Sequence, residues 1–576
     1  MMKKSVLLLF LLVMTTHMTA QNASQRVTLK LIETSDVHGS FFPYDFIAKE
    51  PTDGSLARVS AYVNQLRQQD PEGVVLVDNG DILQGQPTCY YYNYIGTSVP
   101  NLTARIVNYL QYDAQTMGNH DVETGHTVYD KWIKETNCPI LGANIVETAT
   151  GRPYVFPYTI VERKGVRIAV IGMLTPAIPN WLHESLYQGL HFEEMVSCAR
   201  RWVDDLRTHE HPDVIVGLFH SGWEGGITTP QYMEDATRFV AEQVPEFDVI
   251  FFGHDHMEHQ IMTDNGVLCL DPSCYAKKVA QATLELEQQA NGRWKVVKKT
   301  GELVDVRQTV IDERYMAHFQ PDIDQITTYV NRRIGRFESA ISTRDCYFGS
   351  SAFTDLIHNL QLKITGADIS LNAPLSFDTR IEAGDVYQSD MFKLYRFENQ
   401  IYTMRMTGRE VRKHLEMSYA IWTNTMASAD DHILLLNDES RDDMQRYGFR
   451  NYTFNFDSAA GIDYEVDVTK PEGQKIRILR MSNGEPFDEN KWYKVALNSY
   501  RANGGGELLT RGAGIPQDSL ASRIIASTPH DQRYYLTQEI ERLGTIDPKP
   551  NNNWRFVPEA WVVPASKRDR KIVFGN

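Results

Sequence analysis

The chain has 576 residues, 42% of them hydrophobic and 23% charged, with a formal net charge of −16. That length exceeds a single compact core and predicts two domains of ordinary globular composition. The negative balance argues against a nucleic-acid polymer or an anionic membrane as the main partner, yet leaves a small anionic substrate open, because local metals or arginines can outweigh the global field.

In chain order, the first stretch is MMKKSVLLLFLLVMTTHMTAQ, with Lys3 and Lys4, an apolar run over 6–14 and small residues ending at Ala20. The run is short for a bilayer span and has the layout of a secretory signal peptide over residues 1–20. The expected location is therefore secreted, periplasmic in a host with an outer membrane, with no membrane span in the mature chain. Six cysteines follow (Cys89, Cys138, Cys198, Cys269, Cys274, Cys346) without any C-x-x-C pair, so a thiolate zinc site is not indicated. Export permits disulfides, but neither their pairing nor an oligomeric state is legible in the spacing.

From 27 to about 305, short β-rich runs alternate with helix-patterned stretches. VTLKLIETSD reads as a strand, and GSLARVSAYVNQLR places Leu56, Val59, Val63 and Leu66 on one helical face. VVLVDNGD, RIAVIGM, VIVGLFHSG and VIFFGHDH are each apolar runs ending in polar residues, the pattern of strands covered on both faces. The expected unit is a layered α/β domain over 27–305. Residues 306–341 read as a linker with a connecting helix that Pro321 breaks or starts. A smaller α/β region spans 342–546. The tail over 547–576, rich in Pro and Asn, reads as an extended, packed appendage.

Five polar clusters fall where strands should end: SDVHG with Asp36 and His38, NGD with Asp81, GNHD with Asn119 and His120, FHSG with His220, and GHDH with His254 and His256. A single histidine after a strand is usually a hydrogen-bonded loop residue. Five such clusters in one domain are different, because functional groups of open α/β sheets gather at the carboxyl ends of strands. Imidazole, carboxylate and one amide oxygen suit divalent zinc, manganese, iron or cobalt. Seven ligands can serve two ions if one carboxylate bridges them, and ions about 3.5–4 Å apart clamp the attacking and leaving oxygens of a displacement at phosphorus.

D-x-H, GDILQG, G-N-H-D and G-H-D-H together resemble the signature of the calcineurin-like metallophosphoesterases over roughly residues 28–275. The resemblance implies a four-layer α/β/β/α domain and two divalent metal ions. It would place Asp36, His38, Asp81 and His256 on one metal, and Asp81, Asn119, His220 and His254 on the other. It implies that His120 binds no metal and faces the scissile phosphate, stabilising its charge and helping the leaving oxygen depart. Asp121 is expected to turn toward backbone. The nucleotidase branch has an aspartate four residues beyond the motif's asparagine; here that position is Glu123, which becomes the expected partner of His120.

The second region extends the resemblance. NAPLSF, LYRFEN, FDSAAGIDYEVDV and NSYRANGGG are similar to the C-terminal domain of periplasmic nucleotidases. The N-G-G-x-R segment of 5′-nucleotidases and UDP-sugar hydrolases is absent, so the chain looks closer to 2′,3′-cyclic-nucleotide 2′-phosphodiesterase/3′-nucleotidases. By that resemblance, Phe454 and Tyr500 stack on the nucleobase, with Asn372 and Arg501 as further substrate contacts. The implied reaction opens a 2′,3′-cyclic nucleotide to a 3′-nucleotide, by attack of a hydroxide held between the metals, and then releases phosphate and nucleoside. One alternative is a 5′-nucleotidase or UDP-sugar hydrolase in which Arg380 replaces the missing arginine. Another is an inactive exported nucleotide-binding or adhesion protein, which should show missing metal ligands; none is missing.

Overall fold

Two six-stranded sheets lie face to face in the computed structural model, which describes residues 25–437 and 447–575. The signal peptide expected at 1–20 lies outside the described residues. The first sheet runs in the order Trp294–Asp305, Lys278–Gln288, Arg26–Thr34, Val74–Asp78, Ala114–Thr116, Ile140–Leu141. Its last four strands are parallel. The second runs Glu258–Met262, Leu268–Pro272, Val249–Phe252, Val214–His220, Val166–Leu174, Tyr158–Arg163, with a parallel centre and antiparallel edges.

Side chains alternate across each strand, so Leu29, Leu31, Val75 and Val77 of one sheet meet Val170, Val216, Leu218 and Phe251 of the other. The opposite faces are covered by helices. Leu56–Gln69, Leu102–Leu110 and His126–Glu135 bury their apolar residues on the first sheet. Met195–His209 and Thr237–Gln243 do so on the second. This is the four-layer α/β/β/α arrangement, and it explains why the strands read as near-continuous apolar runs.

The connecting helix, Glu313–Val330, contains Pro321 instead of breaking there. Its side-chain cap is Asp312, which accepts from the backbone N–H of Arg314 and Tyr315. Tyr315, Phe319, Ile326 and Val330 recur on one face and enter the first domain's core. That packing offsets the roughly 3 kcal/mol cost of an interior proline. The expected linker is also shorter than 306–341, because Arg333–Phe337 already pairs with Gly384–Tyr387 and Thr545–Ile546 in a second-domain sheet.

The second domain is built on a five-stranded sheet, Ser458–Ala460, Ile369–Asn372, Trp492–Asn498, Gln400–Thr407, Ile524–Asp531. The tail differs from the extended appendage expected. Trp554–Val557 adds a parallel strand beside Ile462–Asp467, and Glu559–Phe574 is a helix. Trp554, Phe556, Val562 and Ala565 join the core around Tyr419 and Trp422. Asp569, fully buried, accepts from the backbone N–H of Ile433 at 2.8 Å and Leu434 at 3.0 Å. Apolar residues spaced along a Pro-rich segment were the missed helix signal. All six cysteines are buried and free.

Between the domains, the buried Arg533 guanidinium sits 4.5 Å from the ring centre of Tyr90 and 4.3 Å from that of Phe392. Glu398 approaches it at 2.9 Å, and Tyr94 donates to Glu398 at 3.2 Å.

Candidate active site

The strand ends converge on one cleft. Asp36 and His38 follow Arg26–Thr34, Asp81 follows Val74–Asp78, and Asn119 and His120 follow Ala114–Thr116. His220 ends Val214–His220, while His254 and His256 follow Val249–Phe252. Five of these residues hold left-handed backbone: Asp36 (φ 49), His38 (φ 47), Asp81 (φ 52), His254 (φ 83) and His256 (φ 58). Such conformations in non-glycine residues gather at functional sites, where surrounding structure holds them in place. Close approach also dictates two motif glycines: a Cβ on Gly118 would stand 2.0 Å from Asp81 Oδ1, and one on Gly253 2.0 Å from Ser35 Oγ.

The donor atoms crowd together. His256 Nε2 lies 3.3 Å from Asp36 Oδ1 and 3.1 Å from His38 Nε2. His220 Nε2 lies 3.3 Å from Asp81 Oδ2 and 3.1 Å from Asn119 Oδ1. Two carboxylate oxygens stand between the groups: Asp81 Oδ2, 3.9 Å from His38 Nε2, and Asp36 Oδ1, 3.9 Å from His38 Nε2 and 4.0 Å from His220 Nε2. Asp36 Oδ1 is buried without a hydrogen bond. A buried orphan carboxylate oxygen and two imidazole nitrogens facing each other are costly arrangements that a cation resolves. The residues therefore fit two divalent ions. His254 is the exception in placement: its Nε2 turns to Glu234 Oε1 at 3.1 Å, while its ring centre is 5.3 Å from that of His220.

The remaining hydrogen bonds fix these groups. His38 Nδ1 meets Gln84 O at 3.1 Å, and His220 Nδ1 meets Asn79 O at 2.7 Å, leaving each Nε2 for the cluster. Asp121 accepts from Gly118, Asp81, Ile82 and Leu83 backbone N–H groups at 2.8–3.0 Å, tying two motif turns together. It thus serves backbone, not His120. The Nδ1 of His120 instead meets Glu123 Oε2 at 2.6 Å.

Electrostatics follow from this crowding. Burial works against ionisation of Asp81, but His220 and His120 hold its carboxyl well below the usual range. Burial and the neighbouring His256 push His38 down to about 3. For His120, burial opposes protonation, but Asp81 and the Glu123 hydrogen bond raise it to about 9. Of the cleft imidazoles only His38 is pushed down; against burial, nearby acidic groups raise His220 and, to about 9, His254, as they raise His120.

The four residues expected to hold substrate behave differently. Tyr500 and Phe454 are neighbours, 6.2 Å between ring centres, but their planes are 81° apart, an edge contact without a parallel slot. Arg501 is 2% exposed, with its guanidinium bonded to both Asp457 oxygens, Asn455 Oδ1, Phe454 O and Gly505 O. Every donor is used, so it is a strut joining the FNFD and NSYRANGGG segments and not a substrate contact in this structure. Asn372 is 2% exposed and donates to Ala373 O at 2.8 Å. Arg380 is on the exterior, paired with Glu382 at 2.6 Å.

Other residues reach the cluster without having been singled out. The ring of Phe397 lies parallel to that of His120, and Arg396 donates to Tyr275 Oη at 2.6 Å. Tyr275 stands 5.7 Å from His38 and 6.0 Å from His256, ring centre to ring centre. Arg396 and Phe397 sit inside LYRFEN, which carried a signal as a segment; Glu234 had none.

Residues 29–258 match the calcineurin-like phosphoesterase family model, and residues 327–511 match the 5′-nucleotidase C-terminal domain. A trifunctional nucleotide phosphoesterase protein of Bacillus subtilis, YfkN, is 28% identical over 93% of this chain, which spans 39% of that relative's length. A 2′,3′-cyclic-nucleotide 2′-phosphodiesterase/3′-nucleotidase of Yersinia enterocolitica is 25% identical over 95% of this chain and 91% of its own. In fold, a putative 5′-nucleotidase structure from Staphylococcus aureus superposes with a TM-score of 0.76 at 21% identity, covering 92% of this chain and all of that one. The chain therefore belongs to the calcineurin-like phosphoesterases, metal-dependent phosphoric ester hydrolases, and to the group of them that carries a 5′-nucleotidase C-terminal domain.

Proposed function

We propose that the protein is an exported dimetal nucleotide phosphoesterase that opens 2′,3′-cyclic nucleotides to 3′-nucleotides and then releases phosphate and nucleoside. The carrying observation is the meeting, in one interdomain cleft, of the Asp36–His38–Asp81–Asn119–His220–His256 cluster with a hydrogen-bonded His120–Glu123 pair. The Yersinia relative, similar along nearly the whole chain, supports the cyclic-nucleotide reading.

Asp36, His38, Asp81 and His256 would hold one divalent ion, and Asp81, Asn119, His220 and His254 the second. Ions of the zinc, manganese, iron or cobalt type would supply positive charge to the phosphoryl oxygens and lower the pKa of water at neutral pH. The chain does the rest. Glu123 accepts from His120 Nδ1 and keeps the ring in one orientation, so that its Nε2–H points into the cleft. With its pKa raised to about 9, His120 is protonated at neutral pH and can donate from Nε2 to the departing ribose oxygen. The ring of Phe397, from the second domain, lies near-parallel to that of His120, with centres 6.5 Å apart.

A 5′-nucleotidase is the second reading, supported by the family match of residues 327–511. Export by cleavage after a peptide over 1–20 is part of the proposal, tested by the N-terminal sequence of the mature protein. Among the described residues, no helix is long and apolar enough to cross a membrane.

The activity test is phosphate and nucleoside release by manganese-supplemented protein on 2′,3′-cyclic AMP, 3′-AMP, 5′-AMP and UDP-glucose, with His120→Ala as control. Turnover of the first two, lost in the control, supports the proposal. Preference for 5′-AMP or UDP-glucose transfers it to the second reading.

A further inference from the structure

Three imidazoles of the cleft are held through Nδ1. His38 and His220 use backbone carbonyls, and His120 uses Glu123. His254 has a different holder. Its Nε2 stands 3.1 Å from Oε1 of Glu234, a residue of the Gly225–Thr228/Met233–Asp235 hairpin outside the five polar clusters of the sequence.

We propose that Glu234 is a positioning residue that sets the tautomer and orientation of His254 and thereby the affinity of the second metal alone. The inference rests on the reading of the cluster as a two-metal centre. A neutral imidazole that donates Nε2–H to a carboxylate keeps its lone pair on Nδ1, and such a partner both fixes the ring and raises its basicity toward a metal. The carboxylate is itself seated. Glu234 Oε2 accepts from the Ile227 backbone N–H at 2.6 Å, and its carbonyl oxygen accepts from Thr175 at 2.9 Å and Ser221 at 2.8 Å. Gly226, at φ 62, leaves the room this carboxylate needs: a Cβ there would lie 2.5 Å from it. The His254 backbone N–H donates to Asp36 Oδ2 at 3.1 Å, so main chain and ring are anchored from opposite sides.

Glu234→Gln is the discriminating change. The amide can keep its oxygen on Ile227 only by presenting its NH2 to His254, which moves the imidazole proton to Nδ1, the nitrogen that should offer the lone pair.

Mn²⁺ is titrated into metal-free wild type, Glu234→Gln and Glu234→Asp, with calorimetry for stoichiometry and electron paramagnetic resonance for spin coupling. The expected result is two ions and a coupled pair in wild type. Glu234→Gln should bind its first ion as wild type does, lose about 10- to 100-fold in affinity for the second, and show an isolated-ion signal when one equivalent is bound. Glu234→Asp, which withdraws the carboxylate by one methylene, should weaken the same ion less. Metal-free melting temperatures report folding separately. Two ions with wild-type affinity in both variants would overturn the role of Glu234 while leaving the metal centre intact. Fewer than two ions in wild type would overturn the two-metal reading itself, and this inference with it.

Discussion

The ring of Phe397, in the second domain, lies near-parallel to that of His120 in the first, ring centres 6.5 Å apart and planes within 9° of parallel. The His120 imidazole is thus neighboured by a residue 277 positions away in sequence, delivered by domain packing. Phe397→Ala should lower kcat/KM by about 10-fold, the order of one lost aromatic contact in a cleft that excludes water. Metal content should not change. Steady-state kinetics with an elemental count check this, and an unchanged kcat/KM would remove Phe397 from the site.

His120→Ala is expected to reduce kcat by about 10²–10⁴-fold, the usual contribution of a general acid, with both metals retained. Glu123→Gln keeps a hydrogen-bonding partner but not its charge. Its effect should be smaller than that of His120→Ala, and the alkaline limb of its kcat–pH profile should move to lower pH. The sign follows from Glu123 being among the groups that raise His120. A limb at unchanged pH would mean that this pair does not set the titration.

Arg501 offers a test of strut against substrate contact. Removing its guanidinium leaves the Asp457 carboxylate, buried and doubly bonded to it, with only His414 as a side-chain partner among the described residues. Loss of one partner from a buried pair costs about 3–5 kcal/mol. Arg501→Ala should therefore lower the melting temperature by roughly 10 °C. A variant that keeps wild-type stability but loses substrate affinity would restore the substrate role.

Glu398 gives a pH prediction away from the metal cluster. Burial raises its carboxyl to about 7; Arg533 pulls it down, but Glu123 and Asp531 push it up again, so one guanidinium serves several acids. The folded state thus favours the protonated form more than the unfolded chain does. Its stabilising contribution is complete below about 4.5, the ordinary value, and is lost as pH rises through about 7. Glu398→Gln cannot titrate. Wild type should lose melting temperature relative to this variant between pH 5 and 8, and parallel curves would sink the assignment.

The metal-type residues were legible because each closes a strand whose apolar run is itself legible, and sheet topology brings strand ends together without further information. Glu123 was expected beside His120 from the family resemblance alone; the structure puts the two three positions apart on a short helix, Asn119–Glu123, and so on one face. The partner of Arg501 was not legible for a physical reason: a charged residue beside a glycine run looks available, and only the fold reveals the buried Asp457 to which it is bonded. Pro321 and the C-terminal helix show tertiary burial overriding local propensity. Glu234 and Phe397 could not be found by pattern, since each acts on a histidine from a separate element.

The left-handed turns at Asp36, His38, Asp81, His254 and His256 carry an evolutionary corollary. Aspartate, asparagine, histidine and glycine are the residues that tolerate such backbone best, so geometry and ligand chemistry draw on the same small alphabet. A duplicated copy of this chain released from selection for catalysis could drift at these positions to glycine or asparagine and keep its fold, whereas drift to valine or isoleucine would damage both. The expected fossil of lost activity in descendants of this protein is therefore an intact scaffold with small residues at these turns, told from its ancestor only by the missing ligands.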